Sequence, residues 1–403
     1  MKRKFPKIQK LKFSKTAKLT VSFLFLAAFL TFRFYAFESK NKLSRVNQEL
    51  SNLQKEKDEN IKKLESFEKD LENLKKEDQY KKNVALQEEI ANIQKTYKGA
   101  VLIYEDLIKL KEKTDKTKQF DELFTKILVD LSSRDFLKAQ EKINNLSQNI
   151  KGEEAKLAAS FTIPQSVPEN DLAPETGYSR QRVLTDAETF MVSIVAGDLG
   201  TTKVVVDTAS DSDCFDNCPT LPLATYVSRN GAFAGVNGSY FCPAEYPSCA
   251  GKTNSFDLLV MNKNKTYFNS GNNVYSGNPA VIFGGNYIRF VGTVSEWGRD
   301  TGPNGVLSNF PLLLSGENIS FGGDEDPKKG SKGARSFVAN KGNTIFIGVV
   351  HNATVAESAR VMKALGMENA LNLDNGGSTA LWYGGYKVGP GRNLPNAIIF
   401  IRK

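Results

Sequence analysis

Histidine and cysteine are scarce in this chain of 403 residues, and both occur only in its C-terminal half. The single histidine is His351, and the four cysteines are Cys214, Cys218, Cys242 and Cys249. The spacings CxxxC and CxxxxxxC, with no histidine nearby, argue against a zinc site. An even, clustered set in an exported domain is typical of disulfides. Three pairings are open, of which Cys214–Cys218 with Cys242–Cys249 is the local one.

Proline is absent between residues 7 and 163, so nothing interrupts a helix there. A heptad repeat begins at Leu43 and predicts a coiled-coil stalk over 41–118, through which copies of the chain could form a homo-oligomer. Its two seam positions hold Leu43, Leu50, Lys57, Leu64 and Leu71, and Val46, Leu53, Asn60, Phe67 and Leu74. A broader apolar face then predicts a helical segment over 119–158, folded as a short helix pair.

The chain has no excess charge beyond its first 40 residues, although its formal net charge is +9. A basic tail over 1–18 precedes an apolar run over 19–37 that contains Arg33, so nucleic acid is not the partner that this charge indicates. The run predicts an uncleaved transmembrane signal anchor, single-pass, with the N-terminus cytoplasmic and the C-terminal domain extracytoplasmic. A cleaved signal peptide is the alternative; no small-x-small pattern closes the run. Both interpretations export the rest of the chain.

A change in composition marks the domain boundary after the helical region. Prolines predict a linker over 159–180. Glycine and β-branched runs follow over 181–403, and only two segments, roughly 219–229 and 355–365, have a helical pattern. The fold class is therefore α+β: an N-terminal transmembrane helix and coiled-coil stalk, followed by one strand-rich α+β domain.

Three polar, glycine-rich segments lie beside predicted strands, at 235–241 (GVNGSYF), 333–339 (GARSFVA) and 371–379 (LNLDNGGST). Each alone is typical of a turn or a surface cation. Together with the closing GRNLPNAIIF they resemble the NAGPA-like phosphodiester glycosidase family, over roughly 185–401. The family usually has Asp-Gly-Gly-Gly-Ser where this chain has DNGGS. Because asparagine tolerates the left-handed backbone region, we expect the turn to persist.

The resemblance implies a hydrolase that cleaves a sugar-1-phosphodiester at the glycosidic C1–O bond. In this chain Asp374 is the candidate carboxylate, Arg335 the candidate phosphate clamp, and Asn237 the third catalytic candidate. The expected substrate-binding residues are Tyr240, Ser239, His351, Asn375, Gly376, Gly377 and Ser378. Asn237 and Tyr240 would hydrogen-bond sugar hydroxyls or phosphate, and the 376–378 turn could form an anion-binding nest.

His351, at the exit of a predicted strand, could equally be structural. No metal and no cofactor are expected.

Two functions therefore remain open. The first is a membrane-anchored, exported hydrolase that acts on a cell-surface glycan or exopolysaccharide of the cell envelope. The second is a non-catalytic glycan-binding or exopolysaccharide assembly module on the same fold. Both have a sugar phosphate or glycan as the partner and the membrane as the attachment site, without nucleic acid.

Overall fold

The structure is a computed structural model that describes residues 15–269, 277–298, 300 and 302–403. The side chains of 15–22, 25 and 78 lie outside this description, as does most of the predicted basic tail at 1–18. The chain divides into two compact units, Met1–Ala91 and Asn92–Lys403. The second unit contains both helices and sheets, so its helical part packs with the strand-rich region.

The described helices and strands follow one another from N-terminal helices to a strand-rich C-terminal region, which makes a mixed α+β chain. The helices are α1 Lys15–Lys76, α2 Asp78–Lys111, α3 Lys118–Ser132, α4 Phe136–Ser160, α5 Leu223–Arg229, α6 Pro327–Gly330 and α7 Val355–Ala364. The strands are β1 Gly177–Leu184, β2 Thr189–Asp198, β3 Thr202–Thr208, β4 Ala234–Asn237, β5 Val260–Met261, β6 Tyr267–Phe268, β7 Ala280–Phe283, β8 Ile288–Val291, β9 Gly305–Ser308, β10 Leu312–Ser315, β11 Asn318–Ile319, β12 Gly333–Lys341, β13 Thr344–Ala353, β14 Asn369–Asn372, β15 Leu381–Tyr383, β16 Tyr386–Val388 and β17 Asn396–Arg402.

The first unit consists of α1 and the beginning of α2. The helix breaks at Glu77, where the heptad pattern also breaks. The apolar seam residues are exposed within the single chain, with Leu53 at 62% and Phe67 at 69%. In the described residues, no helix has an apolar stretch long enough to cross a bilayer. The predicted transmembrane anchor at 19–37 is thus not supported; five side chains of that run, 19–22 and 25, lie outside the description.

The helical part of the second unit has its own apolar core. The end of α2 packs with α3 and α4 through buried side chains that include Leu107, Ile127 and Leu146. Asp135 begins α4 as its N-cap, and its side chain accepts a hydrogen bond from the Lys138 backbone amide. α4 ends at Ser160 and β1 begins at Gly177.

Three antiparallel sheets build the rest of the second unit. Sheet A has the strand order β1-β2-β13-β12-β14-β10-β11, sheet B has β16-β15-β4-β17-β3, and sheet C has β6-β5-β9-β7-β8. Apolar side chains from all three meet in one core, for example Val338 of sheet A, Phe400 of sheet B and Phe283 of sheet C. The sheets therefore converge, and their strand ends are brought close together.

Alternation of apolar side chains explains how sheet A is covered on both faces. In β13, Ile345, Ile347 and Val349 face the shared core, while Phe346 and Val350 face α7. α7 begins with a capping box, in which the Thr354 hydroxyl accepts from the Glu357 amide. α5 covers the outer face of sheet B in the same way. Both helices lie within the segments that the sequence predicts.

Two disulfides stabilise loops next to sheet B. Cys214 bonds to Cys218, and Cys242 bonds to Cys249. The predicted disulfides are confirmed, and of the three pairings left open the structure has the local one. Among the described residues no cysteine is free.

Candidate active site

The three predicted segments meet where sheet A and sheet B adjoin. β4 ends at Asn237 in sheet B, and in sheet A β14 ends at Asn372, two residues before Asp374. The Asp374 amide donates to the Gly238 carbonyl at 3.0 Å, which joins the two strand ends. The Leu373 amide donates to the Ser336 carbonyl at 2.9 Å, which adds β12. Segments far apart in the chain therefore form one polar cluster.

Asn237 is the centre of this cluster and is fully buried. Its amide nitrogen donates to the Asp374 carbonyl at 2.7 Å. Its side-chain oxygen accepts from the Ser336 hydroxyl at 2.7 Å and from the Ala380 amide at 3.1 Å. The Asn237 side chain has no exposed surface, and its hydrogen bond to the Asp374 carbonyl joins the two segments. Its predicted contact with a sugar or phosphate stays a prediction.

Asp374 presents a half-buried carboxyl at this junction. One of its oxygens accepts from the Asn375 amide at 2.8 Å, and the Ser378 side chain also hydrogen-bonds to it. Burial raises the pKa of Asp374 to about 7, and Asp257 adds to the rise. The hydrogen bonds from Ser378 and Asn375 and the charge of Arg392 oppose it. The turn at 376–378, predicted as a nest for a substrate anion, thus supplies a donor to the protein's own carboxylate.

Asn375 replaces a glycine of the family pattern without backbone strain. Its φ is −129°, which is extended backbone, whereas Gly376 has φ +65°. The turn is present, as expected, with Gly376 rather than Asn375 in the left-handed region. The Asn375 side-chain oxygen accepts from the Ser336 amide at 2.9 Å, and its nitrogen donates to the Asn372 side chain at 3.1 Å. Asn375 thereby bridges β12 and β14.

Tyr240 and Ser239 lie next to this cluster in different ways. Asn372 donates to the Tyr240 hydroxyl at 2.8 Å, and burial raises the pKa of Tyr240 well above its usual value. The tyrosine interacts electrostatically with both Asp374 and Arg335. Ser239 is buried; its backbone amide donates to the Asn396 side-chain oxygen at 3.0 Å, and its hydroxyl accepts from the Asn396 side-chain nitrogen at 3.1 Å. Its predicted substrate contact stays a prediction.

Arg335 is only 6% exposed, and its guanidinium hydrogen-bonds to backbone carbonyls. Its Nε donates to the Ala353 carbonyl at 2.9 Å, and its Nη2 donates to the carbonyls of Lys328 and Ser331. Burial lowers the pKa of Arg335. The guanidinium therefore joins the C-terminal end of α6 to sheet A. Its predicted role as a phosphate clamp stays a prediction.

His351 lies near the C-terminal end of β13. Its Nε2 is 2.9 Å from the Ser193 hydroxyl, and burial lowers the pKa of His351 to about 4, with a further contribution from Arg180. It lines a cavity of about 1050 Å³ together with Lys328 and Ser331, and Asp374 is not among the lining residues. Its predicted substrate contact stays a prediction.

Sequence reasoning missed two charged residues that act on Asp374. Arg392 lies in the closing GRNLPNAIIF, and its charge lowers the pKa of Asp374. Asp257 follows a β-bridge between Phe241 and Phe256, and it raises that pKa. Their positions in the sequence could have indicated both residues. Arg392 lies in the closing segment that resembles the family, and Asp257 lies in a segment with a strand pattern.

In the described part of the chain, no three or more histidine, cysteine, aspartate or glutamate side chains form a group that could hold a metal ion.

Comparisons with known proteins give a family match and low-identity structural similarities. Residues 230–401 match the NAGPA phosphodiester glycosidase family model. The catalytic domain of zebrafish N-acetylglucosamine-1-phosphodiester alpha-N-acetylglucosaminidase, auto-inhibited by its pro-peptide, is 16% identical with a TM-score of 0.45; the alignment covers 59% of this chain and 87% of that one. A hypothetical protein from Synechocystis is 15% identical with a TM-score of 0.43, over 56% of this chain and 62% of that chain, so less than two thirds of its length is spanned. No curated protein matches this chain.

The match to the phosphodiester glycosidase family model over residues 230–401 confirms the resemblance predicted from the motifs.

Proposed function

We propose that this protein is an exported hydrolase that cleaves the C1–O bond of a sugar-1-phosphodiester in a cell-surface glycan or exopolysaccharide. The observation that carries the proposal is the half-buried Asp374 carboxyl, with a pKa of about 7, at the strand junction of a phosphodiester glycosidase domain. A carboxyl group with a pKa near neutrality suits proton transfer at physiological pH.

The proposed reaction is a displacement at the anomeric carbon. Water attacks C1 while Asp374 accepts its proton, the C1–O bond breaks, and the phosphate oxygen leaves with the electron pair. The products are a free sugar and a phosphomonoester. Because a phosphomonoester has a second pKa of roughly 6, it leaves without much help from a general acid. A cation near the phosphate then contributes more than an acid would.

Release of free sugar tests this proposal. We expect the full-length chain to release GlcNAc from UDP-GlcNAc or from an aryl-phosphoryl GlcNAc. Asp374→Asn should lower kcat by about 10²- to 10⁴-fold, the range for loss of an acid–base group. Asp186→Asn is the matched control, because Asp186 is an exposed carboxylate in the turn between β1 and β2. Equal turnover by Asp374→Asn and the parent, with both folded, would remove Asp374 from the mechanism.

The alternative is a glycan-binding or assembly module without catalysis. Release of free sugar, measured on the same samples, distinguishes the two functions. Binding of a phosphodiester-linked glycan without sugar release, across a panel of phosphodiesters, would favour the module.

The location is part of the proposal. The two disulfides support an oxidising compartment outside the cytoplasm. Attachment through residues 19–37 rests on the apolar run and its basic flank. Association through the stalk is supported by the exposed heptad residues, since an apolar stripe on a long helix is normally buried against a partner. Membrane fractionation of the full-length chain tests the attachment, and cross-linking tests the association through the stalk.

A further inference from the structure

A negative charge from the helical part of the second unit already lies beside the candidate active site. Glu112 directly follows α2, and its carboxylate forms an ion pair with the Arg392 guanidinium. The Arg392 side chain is only 12% exposed and the Glu112 side chain 26%. The two residues are 280 positions apart, so the contact depends on tertiary packing.

The glycine-rich turn is shaped around this ion pair. A Cβ atom at Gly377 would overlap the Glu112 carboxylate and would lie 2.5 Å from Arg392 Nη2. Any side chain there would displace one of the two charged groups. The Arg392 amide also donates to the Gly377 carbonyl at 2.7 Å. The turn that begins two residues after Asp374 thus holds Arg392 in place.

The surroundings of Arg392 resemble a ligand site more than a surface ion pair. The Tyr246 ring lies against the guanidinium, with 5.3 Å between Cζ and the ring centroid. A cavity of about 480 Å³ opens beside the pair, lined by Lys111, Glu245 and Gly391 among others. Small-molecule pockets have volumes of about 300–1,000 Å³. The space is therefore sufficient for a sugar phosphate.

Carboxylate and phosphate are interchangeable partners for a guanidinium. Arginine binds both with the same planar set of N–H donors, and both bonds are charge-assisted. Arg392 also interacts electrostatically with Asp374. An anion bound by Arg392 in place of Glu112 would therefore lie near the group that we propose as the base.

We propose that Arg392 binds the substrate phosphate and that Glu112 occupies this phosphate site, so that the helical segment 92–160 closes the site until an anion displaces it. This inference rests on the proposed function. According to this inference the substrate phosphate contacts Arg392, in the closing segment, and not Arg335. Glu112 then acts as a competitor that is permanently attached to the protein, at a high effective concentration.

Further contacts hold the helical segment in this position. The Ser248 amide donates to the Glu105 carboxylate at 3.0 Å, inside the loop closed by the Cys242–Cys249 disulfide. The Asn352 side chain donates to the Ala158 carbonyl at 3.0 Å. Because several contacts besides Glu112 hold the segment, neutralising Glu112 should open the anion site without detaching the helices.

Calorimetric titration of the full-length chain with inorganic phosphate tests the inference without relying on turnover. Glu112→Gln should bind phosphate about tenfold more tightly than the parent, within the usual range of coupling between sites. Arg392→Gln, alone or combined with Glu112→Gln, should abolish this binding, and Arg392→Lys should retain part of it. Glu122→Gln, an exposed glutamate of α3, should bind phosphate like the parent. Melting temperatures establish that each variant is folded.

The outcomes separate this inference from the proposed function. Unchanged phosphate affinity in Glu112→Gln, or binding that survives Arg392→Gln, would overturn the phosphate site. Tighter binding by Glu112→Gln with no sugar released would keep the site and reject the hydrolase. Sugar release by the parent with unchanged phosphate affinity in Glu112→Gln would keep the hydrolase and reject the inference.

Discussion

Two regions near the sheet junction each contain an arginine with little exposed surface, and its partners differ between the two. In the Asp374 region, which comprises Asp374, Ser378, Arg392 and Glu112, the guanidinium faces carboxylates beside a cavity. In the Arg335 region, which comprises Arg335, Ser331, Ala353 and His351, the guanidinium donates to backbone carbonyls. A carboxylate can be replaced by a substrate anion, whereas a carbonyl of the fold cannot. The first region is suited to binding and the second to stability.

The largest expected effect is the loss of stability in Arg335→Gln. Removal of the guanidinium breaks its hydrogen bonds to the carbonyls of Ala353, Lys328 and Ser331, which should lower the free energy of unfolding by about 3 to 5 kcal/mol. Chemical denaturation measures this. Arg289→Gln, at an exposed arginine with one carbonyl partner, should cost less than about 1 kcal/mol. If Arg335→Gln were as stable as the parent but had a raised KM, Arg335 and not Arg392 would be the arginine that binds the substrate phosphate.

The next effect is the pH dependence that Asp374 gives to stability. Its folded pKa of about 7 exceeds its ordinary value of 3.8, so the unfolded chain releases the proton first and stability falls as pH rises between these values. Asp374→Asn should remove the penalty and stabilise the protein at pH 8 by up to about 4 kcal/mol, with no gain below pH 4. Denaturation midpoints at both pH values measure this. Asp186→Asn should show no such difference, and a gain at low pH in Asp374→Asn would contradict the assignment.

The smallest effect is expected at His351 and has the opposite sign. Its folded pKa of about 4 is below the ordinary 6.5, so stability falls as pH decreases from 6.5 to 4, by up to about 3 kcal/mol. Because His351 is the only histidine, NMR of the untagged protein follows its titration without overlap. Ser193→Ala removes its hydrogen-bond partner and tests whether burial alone sets the pKa. A titration near 6.5 would show that His351 is solvated.

Several features of the fold could be predicted because they depend on nearby residues. Alternating apolar residues in β13, the capping box from Thr354 to Glu357 and the close pairs of cysteines are all local patterns. The break of the long helix at Glu77 also follows the heptad break. Each pattern restricts the backbone within a few residues, so tertiary contacts have little to change.

The candidate site was predictable as segments but not as side-chain roles. The motifs identified Asn237, Arg335 and Asp374, and the structure brings their backbones together. They did not indicate that Asn237 is fully buried or that Arg335 is bound by carbonyls. A sequence motif gives the residue type, whereas burial and hydrogen-bond partners depend on how strands from different sheets meet.

The sequence by itself determined the helical N-terminal region, the strand-rich domain, its resemblance to a phosphodiester glycosidase family and the position of the acidic turn. Tertiary structure decided which arginine faces Asp374, because Arg392 and Glu112 come from opposite ends of the second unit. It also decided the pKa of Asp374, which depends on burial and on charges from Asp257 and Arg392. Local patterns fix backbone conformation over a few residues, but electrostatic surroundings are set only when distant segments pack.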